Sequence, residues 1–507
     1  MGPGCGEMPS GMQSQGMKKN DIESVRRILR TRDPEDPLRR LIIRISLQKK
    51  RYSISMANSA PPGAPSADRL NRKRFLRRQL AQAAAKLTGS SRPPIPKDVL
   101  AFRYAPHPVL DALLPKRSGL WKPILRRDRK AGPSTAAISQ LSFLDDPAGT
   151  LGCLSEIIRL ETFALGARLD FDFEYVEDIG PFLLMAEFWP HFAPVFNSGG
   201  TMYPPVQKVI AAVGLSHSLG MAFPGLKNLK DVWALPVQRR RETGRSRSSD
   251  RYLEPQTAEI AADRLVAEID VWLNAAGTNA ALTSMGRSNI TSLVTELLDN
   301  AERHSSYEDR DGGWSLAAFM ARRMIDGEVR YMCHFAIISI GSTIFESMEA
   351  TAPAELREKI EDFVTAMRMS KARQSRATLV TLAALQDGVT RDERAFREGS
   401  GGYGFMHFVD SVNILGLSNR PELAPKIAIL SGSSCIRMRH PYISGKRRGD
   451  EVARKLFFNP SNTLGEPADE AFVYDLPVHL PGTVISVGFT LDQDFYRTIL
   501  NGNDPTE

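Results

Sequence analysis

The stretch "TELLDNAERHSS", Thr295 to Ser306, decides how this chain is read. It sets acidic residues, an asparagine and a histidine beside a Leu-Leu pair. Ile290, Leu293, Val294, Leu297, Leu298 and Ala301 recur at three- and four-residue intervals, the spacing of one buried helical face. On that helix Glu296, Asn300 and His304 follow one another at intervals of four and form a polar stripe along the edge of the apolar face. A solvated flank would account for such a stripe on an arbitrary helix. The segments downstream give it a second reading.

Beyond the helix, "GWSLAAFMARRM" and "EVRYMCHFAIISIG" read as strands, the second apolar enough to be central. A long helical stretch from "APAELREKIEDFVTAMRMS" to "LAALQDGVTRDERAF" leads to "REGSGGYGFMHFVDSV". There Gly399, Gly401, Gly402 and Gly404 would let the backbone approach phosphate closely, and the start of the following helix would offer unpaired N–H groups to anionic oxygens. "KIAILSGSSCIRMRH" and "PGTVISVGFTL" close the region as paired strands.

These residues resemble the ATPase superfamily shared by DNA gyrase, heat-shock chaperones, histidine kinases and mismatch-repair proteins, the Bergerat-type fold. "ELLDNAERH" is similar to its first box, which implies Glu296 as the water-activating base and Asn300 as the magnesium ligand; Asp299 and His304 fit the same pattern. "GVTRDERAFREGSGGYGF" looks like the lid and the second glycine box, which implies nucleotide contacts from Gly401, Gly402 and Gly404, with Tyr403 and Phe405 either touching the base or packing. The middle box departs from the family's Asp-x-Gly-x-Gly. "SIGST" keeps Gly341 but places Ser339 where the adenine-binding Asp is expected and Thr343 where the second Gly is expected. A carboxylate can orient water, and an amide oxygen is a hard, neutral ligand for magnesium, so the implied roles suit the residue types. ATP and Mg2+ are the expected ligands. Weak ATP binding, altered base preference and loss of turnover all follow as open readings of Ser339.

At 507 residues the chain exceeds one usual core, so two folded domains with tails are expected, and 42% apolar residues permit them. Cys5, Cys153, Cys333 and Cys435 form no CxxC pair, against a disulfide framework or a zinc site and in keeping with a reducing, cytoplasmic compartment. No run of eighteen apolar residues and no secretory leader is seen, so neither a membrane span nor export is expected. The net charge of +8 gathers in clusters such as "NRKRFLRR" and "QRRRETGRSR". Without aromatic interleaving they read as solvated tails and linkers rather than a nucleic-acid interface.

The expected organisation is a basic, Pro/Ser/Ala-rich, largely disordered arm over 1–140, carrying a short helix from Asp68 to Leu87 and an alternative start at Met56. An α/β domain over 148–225, a linker over 226–256, the ATPase-like region over 257–491 and a tail over 492–507 follow. "LDFDFEYVEDIGPFLLMAEF" with "PVQKVIAAVGLSHSLGM" is similar to the domain shared by sulfate transporters and anti-sigma-factor antagonists, a STAS-like domain. Its expected phosphoacceptor loop reads Glu177, Asp178, Ile179, Gly180, Pro181, with no Ser or Thr. The fold class is thus α/β, a small STAS-like domain followed by a sandwich of helices on a mixed sheet. The implied function is that of a bacterial, nucleotide-dependent signalling protein with a protein partner or self-association, with slow ATPase or protein kinase activity as the enzymatic reading. A pseudo-ATPase scaffold acting by protein–protein contact is the alternative.

Overall fold

The computed structural model of the protein describes residues 106–120, 134–164, 167–192, 199–240, 255–278, 280–304, 313–389, 404–447 and 453–493. The chain divides into two units, Met1–Ala101 and Phe102–Glu507, and every described residue lies in the second. The helix expected at Asp68 to Leu87 and the alternative start at Met56 lie outside the described residues.

In chain order, α1 (Pro108–Leu113), α2 (Arg117–Leu120), β1 (Ser134–Ile138), α3 (Pro147–Phe163), β2 (Ala167–Phe171), α4 (Gly180–Phe192), β3 (Gly200–Thr201), α5 (Pro204–Ala212) and α6 (Leu215–Ser218) form an α/β layer. There follow β4 (Val232–Arg240), β5 (Pro255–Gln256), α7 (Ala258–Ala275), α8 (Ser284–His304), β6 (Gly313–Ile325), β7 (Glu328–Ile340), α9 (Ile344–Thr351), α10 (Ala354–Met369), α11 (Arg376–Ala384), α12 (Gly404–Leu415), β8 (Lys426–Met438), β9 (Lys446–Arg447), β10 (Arg454–Lys455) and β11 (Val473–Leu491).

The β6–β7 hairpin organises the second part. Asp326 and Gly327 take positive φ values of 52° and 82°, as a two-residue turn matched to strand twist requires, and so fix Ile325 opposite Glu328. From that register every pair through Gly313 and Ile340 follows. The six-stranded sheet runs β5-β4-β6-β7-β11-β8; only the β4–β5 pairing is parallel. Alternation sends Trp314, Leu316, Ala318 and Met320 of β6 toward one core and Ala317, Phe319 and Ala321 toward another. Both faces are covered, which is why β7 reads as an almost unbroken apolar run.

One face packs against α7, α8, α9, α11 and α12. The other is covered by the α/β layer, whose β1-β2-β3 sheet is parallel and therefore needs α3 and α4 as crossovers. Asp146 starts α3, accepting from Gly149 N at 2.9 Å ahead of Pro147 in the first turn. The layer shares its core with the sheet: Phe143, Leu154, Phe182 and Leu183 cluster with Phe319, Ala336, Ile338 and Val484.

Two expected boundaries shift. The arm expected over 1–140 is folded at 106–120 and 134–138. Val109, Leu110 and Leu113 are buried there, and Arg117, 1% exposed, donates to Glu161 through Nε at 3.0 Å and Nη2 at 2.9 Å. Such a pair holds when both partners remain and is costly to break. The stretch 226–256, expected as a linker, contains β4, which pairs along β6 and buries Leu235 and Val237. In both cases a few apolar residues sit inside a polar or basic composition that hides them.

Between the sheet and the α/β layer lies a buried polar cluster. Arg323 of β6, 3% exposed, donates to Glu177 at 2.7 Å and to Val176 O, with its guanidinium 4.8 Å from the Tyr175 ring centroid. Asp178 accepts from Phe143 N and Gly180 N, each at 2.8 Å. Burial nevertheless pushes its carboxyl up to about 7. His334 of β7 stacks on Phe319 at 5.0 Å, and neither ring nitrogen has a hydrogen-bond partner among the described residues. Its burial, reinforced by the positive charges of Arg323 and Lys426, holds the imidazole well below its ordinary pKa. Lys426 is itself paired with Asp145 at 2.8 Å.

Candidate functional site

The helix α8 carries the Glu/Asn stripe where the spacing places it. Val294 and Leu298 are fully buried; Glu296 is exposed, while Asp299 and Asn300 are half-buried. Thr291 donates to Asp263 of α7 at 3.3 Å, and Arg287 pairs with Asp270 of α7, so these residues mark the flank of α8 that faces α7. At 100° per residue Asn300 stands on the opposite flank, and the other helix against which α8 packs is α12. His304 is the last residue of α8; its side chain lies outside the described residues.

Gly404 is the first residue of α12, so the stripe and the start of that helix belong to neighbouring elements. Gly401, Gly402 and Tyr403 lie outside the described residues, as do Gly399 and the stretch expected as a lid apart from Gly388 and Val389. Phe405 packs against the core, its ring 6.1 Å from that of Phe408.

Ser339 lies one residue from the end of β7, 7% exposed, directly opposite Trp314 on β6 and Thr483 on β11. Since Trp314 belongs to the core under the helices, Ser339 faces the helical layer too. The Trp314 indole donates to Glu302 of α8 at 2.9 Å, which ties this end of the strand pair to the stripe's own helix. Gly341 follows at φ 152°, a backbone conformation open to glycine.

Thr343 behaves differently from the glycine expected at its position. Its hydroxyl accepts from Glu346 N at 3.1 Å while Glu346 Oε2 accepts from Thr343 N at 2.8 Å, a reciprocal capping box that starts α9 at once. The turn after β7 is therefore short and closed into a helix. Next to it Ser431 accepts from Ile344 N at 2.8 Å and shares a hydrogen bond with Thr483 Oγ1 at 2.9 Å. Ser339, Thr483 and Ser431 thus make a group of neutral hydroxyls at the helix-facing end of the central strands. Sequence reading missed Thr483 and Ser431. The alternation in "TVISVGF" places Thr483 on the core side with Ile485 and Val487, so a polar residue in an apolar register was the available signal.

A second missed residue is Arg454 of β10. It donates from Nε to Asp387 Oδ2 at 2.9 Å, just after α11, and pairs through Nη1 with Asp410 of α12. One guanidinium therefore fixes the described ends on both sides of 390–403.

Among the described residues no group of three His, Cys, Asp or Glu could hold a metal ion. Magnesium keeps several waters and takes only one or two protein ligands beside phosphate oxygens, and the Asn300 amide, half-buried on α8, is of a residue type that could serve as one. Among the described residues no helix is long and apolar enough to cross a membrane. Compared with models of protein families, with curated proteins and with solved structures, the chain finds no match.

Proposed function

We propose that this protein is a nucleotide-dependent regulator, with magnesium–ATP held between the Asn300 flank of α8 and the segment that leads into α12. The observation that carries the reading is the side-by-side packing of α8 and α12, one bearing the Glu/Asn stripe and the other starting at Gly404. In this reading Asn300 contributes a neutral oxygen to the metal, Glu296 orients the attacking water, and Ser339 faces the base. Asp299 and His304 flank the same site, and Gly401, Gly402 and Gly404 receive the phosphates. The α/β layer, read as antagonist-like, would sense occupancy through the sheet it covers and pass it to a protein partner.

Calorimetric titration of magnesium–ATP into the full chain tests this. Saturable binding that weakens at least about tenfold in Asn300→Ala, the loss of one charge-assisted ligand contact, is expected. Equal heats in the presence and absence of the substitution would refute the placement.

The capping box at Thr343 favours a second reading. A loop closed into a helix start is less able to wrap a nucleotide than a glycine turn, so the same fold would act as a scaffold without turnover. Hydrolysis separates the two: a regulator with turnover loses it in Glu296→Ala, whereas a scaffold shows the same background rate with either residue.

A further inference from the structure

A cleft of about 670 Å³ opens between the turn that ends α10 and the loop that joins β10 to β11. That volume suits a small organic molecule. Lys371 and Arg373 line it from the turn, Glu466 and Glu470 line it from the loop, and Pro460 and Pro467 add apolar surface.

Both walls are braced from within. Lys371 N donates to Arg368 O at 2.9 Å and Ala372 N to Met367 O at 3.0 Å, a Schellman turn with Lys371 at φ 70° in the place glycine usually takes. In the loop the buried Asn459 donates through Nδ2 to Thr463 O at 2.8 Å and to Glu466 O at 2.9 Å, while Asn462 Oδ1 accepts from Phe457 N at 2.8 Å. Gln374, buried beside Arg373, donates to Ala468 O at 3.2 Å and Val473 O at 2.9 Å and so fastens the turn to the loop. Of the six non-glycine residues at positive φ among the described ones, three belong to these walls: Lys371, Phe458 and Asn462. Backbone strain gathers where the cleft is, as it does at sites held for a ligand.

The charges facing the cleft do not cancel one another. Among the described residues neither the Lys371 ammonium nor the Glu466 carboxylate has an ion-pair or hydrogen-bond partner. Arg373 meets Glu470 at 3.5 Å, but these side chains are 82% and 57% exposed, so water competes for both ends and the pair contributes little. Two cations on one wall and two carboxylates on the other are therefore open to a ligand that carries both charges.

We propose that this cleft binds a free α-amino acid with an apolar side chain. Its carboxylate lies at Lys371 and Arg373, its ammonium at Glu466 and Glu470, and its side chain against Pro460 and Pro467. Such a molecule replaces each member of the Arg373–Glu470 pair with a like charge of its own, so neither end loses its counter-charge. A simple anion or a simple amine satisfies one wall and is repelled by the other. The ammonium is also a reason for lysine to stand at a backbone position where glycine would be less strained. The site is independent of the nucleotide reading.

The test is a ligand-observed NMR titration of L-leucine with the full chain. Isocaproate, which lacks the ammonium, and isoamylamine, which lacks the carboxylate, are the matched probes. L-leucine is expected to saturate, and each probe to bind at least about tenfold more weakly, the value of one charge-assisted contact. Glu470→Gln should weaken leucine by about fivefold and leave isocaproate no weaker, since only leucine brings an ammonium to that wall. Lys371→Gly should weaken leucine by a similar factor while the urea midpoint holds or rises, because glycine relieves the left-handed backbone. A lysine with a structural role alone would not lose affinity and keep stability. Failure of leucine to saturate by about 10 mM, equal binding of leucine and either probe, or leucine binding untouched by both substitutions would each overturn the proposal.

Discussion

The pair Asp178 and His334 makes a prediction about stability and pH that can be worked through from their burial. In the folded protein Asp178, buried and pushed up to about 7, holds its proton through the acidic range. His334, buried beside Arg323 and Lys426, stays neutral well below its ordinary pKa. In the unfolded chain the ordinary values apply, about 3.9 for Asp and about 6.5 for His. Where His334 is still neutral in the folded protein and the pH lies between those two values, the folded state carries one proton on this pair, on Asp178, and the unfolded state also carries one, on His334. Folding moves the proton and takes up none, so the pair contributes no pH slope to stability in that window.

Each single substitution uncovers a slope of opposite sign. Asp178 has a raised folded pKa, so its contribution is fully present below the unfolded value and is lost as pH rises toward about 7. With His334→Leu only that term remains, and stability relative to the native chain should fall as pH rises, by about 1.4 kcal/mol per unit. His334 has a depressed folded pKa, so its contribution is fully present above the unfolded value and is lost as pH falls below about 6.5. With Asp178→Asn stability relative to the native chain should rise with pH by the same amount. Over the acidic range in which His334 stays neutral in the folded protein, the two variants should diverge from the native chain in opposite directions. The assay is urea unfolding at several pH values, reading the slope rather than the offset, because Asn at 178 also disturbs the bonds to Phe143 N and Gly180 N at every pH. The double variant should run parallel to the native chain. Parallel lines for the native chain and either single variant, or slopes of the same sign in both, would refute the reasoning.

Arg117→Ala should destabilise the folded unit by about 3 to 5 kcal/mol, since Glu161, 2% exposed, is left without its bidentate partner; chemical denaturation reads this directly. Thr343→Ala should cost about 1 kcal/mol through loss of the α9 cap, whereas Thr343→Gly should cost only a few tenths, measured the same way. Arg454→Met should destabilise the folded unit, because α12 loses its tie to Asp387 and Asp410 is left without this guanidinium; an unchanged urea midpoint would remove Arg454 from any structural role.

What the chain discloses on reading, and what it withholds, follows from the range of the interactions concerned. α8 is legible because its apolar period is local, and the β6–β7 hairpin because alternation flanks Asp326-Gly327, a turn pair with a mechanism of its own. The capping box is legible too, as a Thr with Glu three residues on, a local pattern that needs no tertiary contact. Arg117 reads as one more basic residue in a basic stretch until Glu161 is placed against it, 44 positions away. Ser339 and Thr483 become neighbours only through strand order, because β11 enters the sheet between β7 and β8. The same topology decides how the two halves of the chain meet. Along β7 alternate residues face opposite layers: Phe335, Ile337 and Ser339 look to the helices, and His334, Ala336 and Ile338 to the α/β layer. Each layer has its own core against one face of the sheet and the two cores share β7 as a wall, so a substitution on either face of that strand strains a wall that the other face also uses, and the buried polar groups, Ser339 on one side and His334 on the other, stand five residues apart on a single strand.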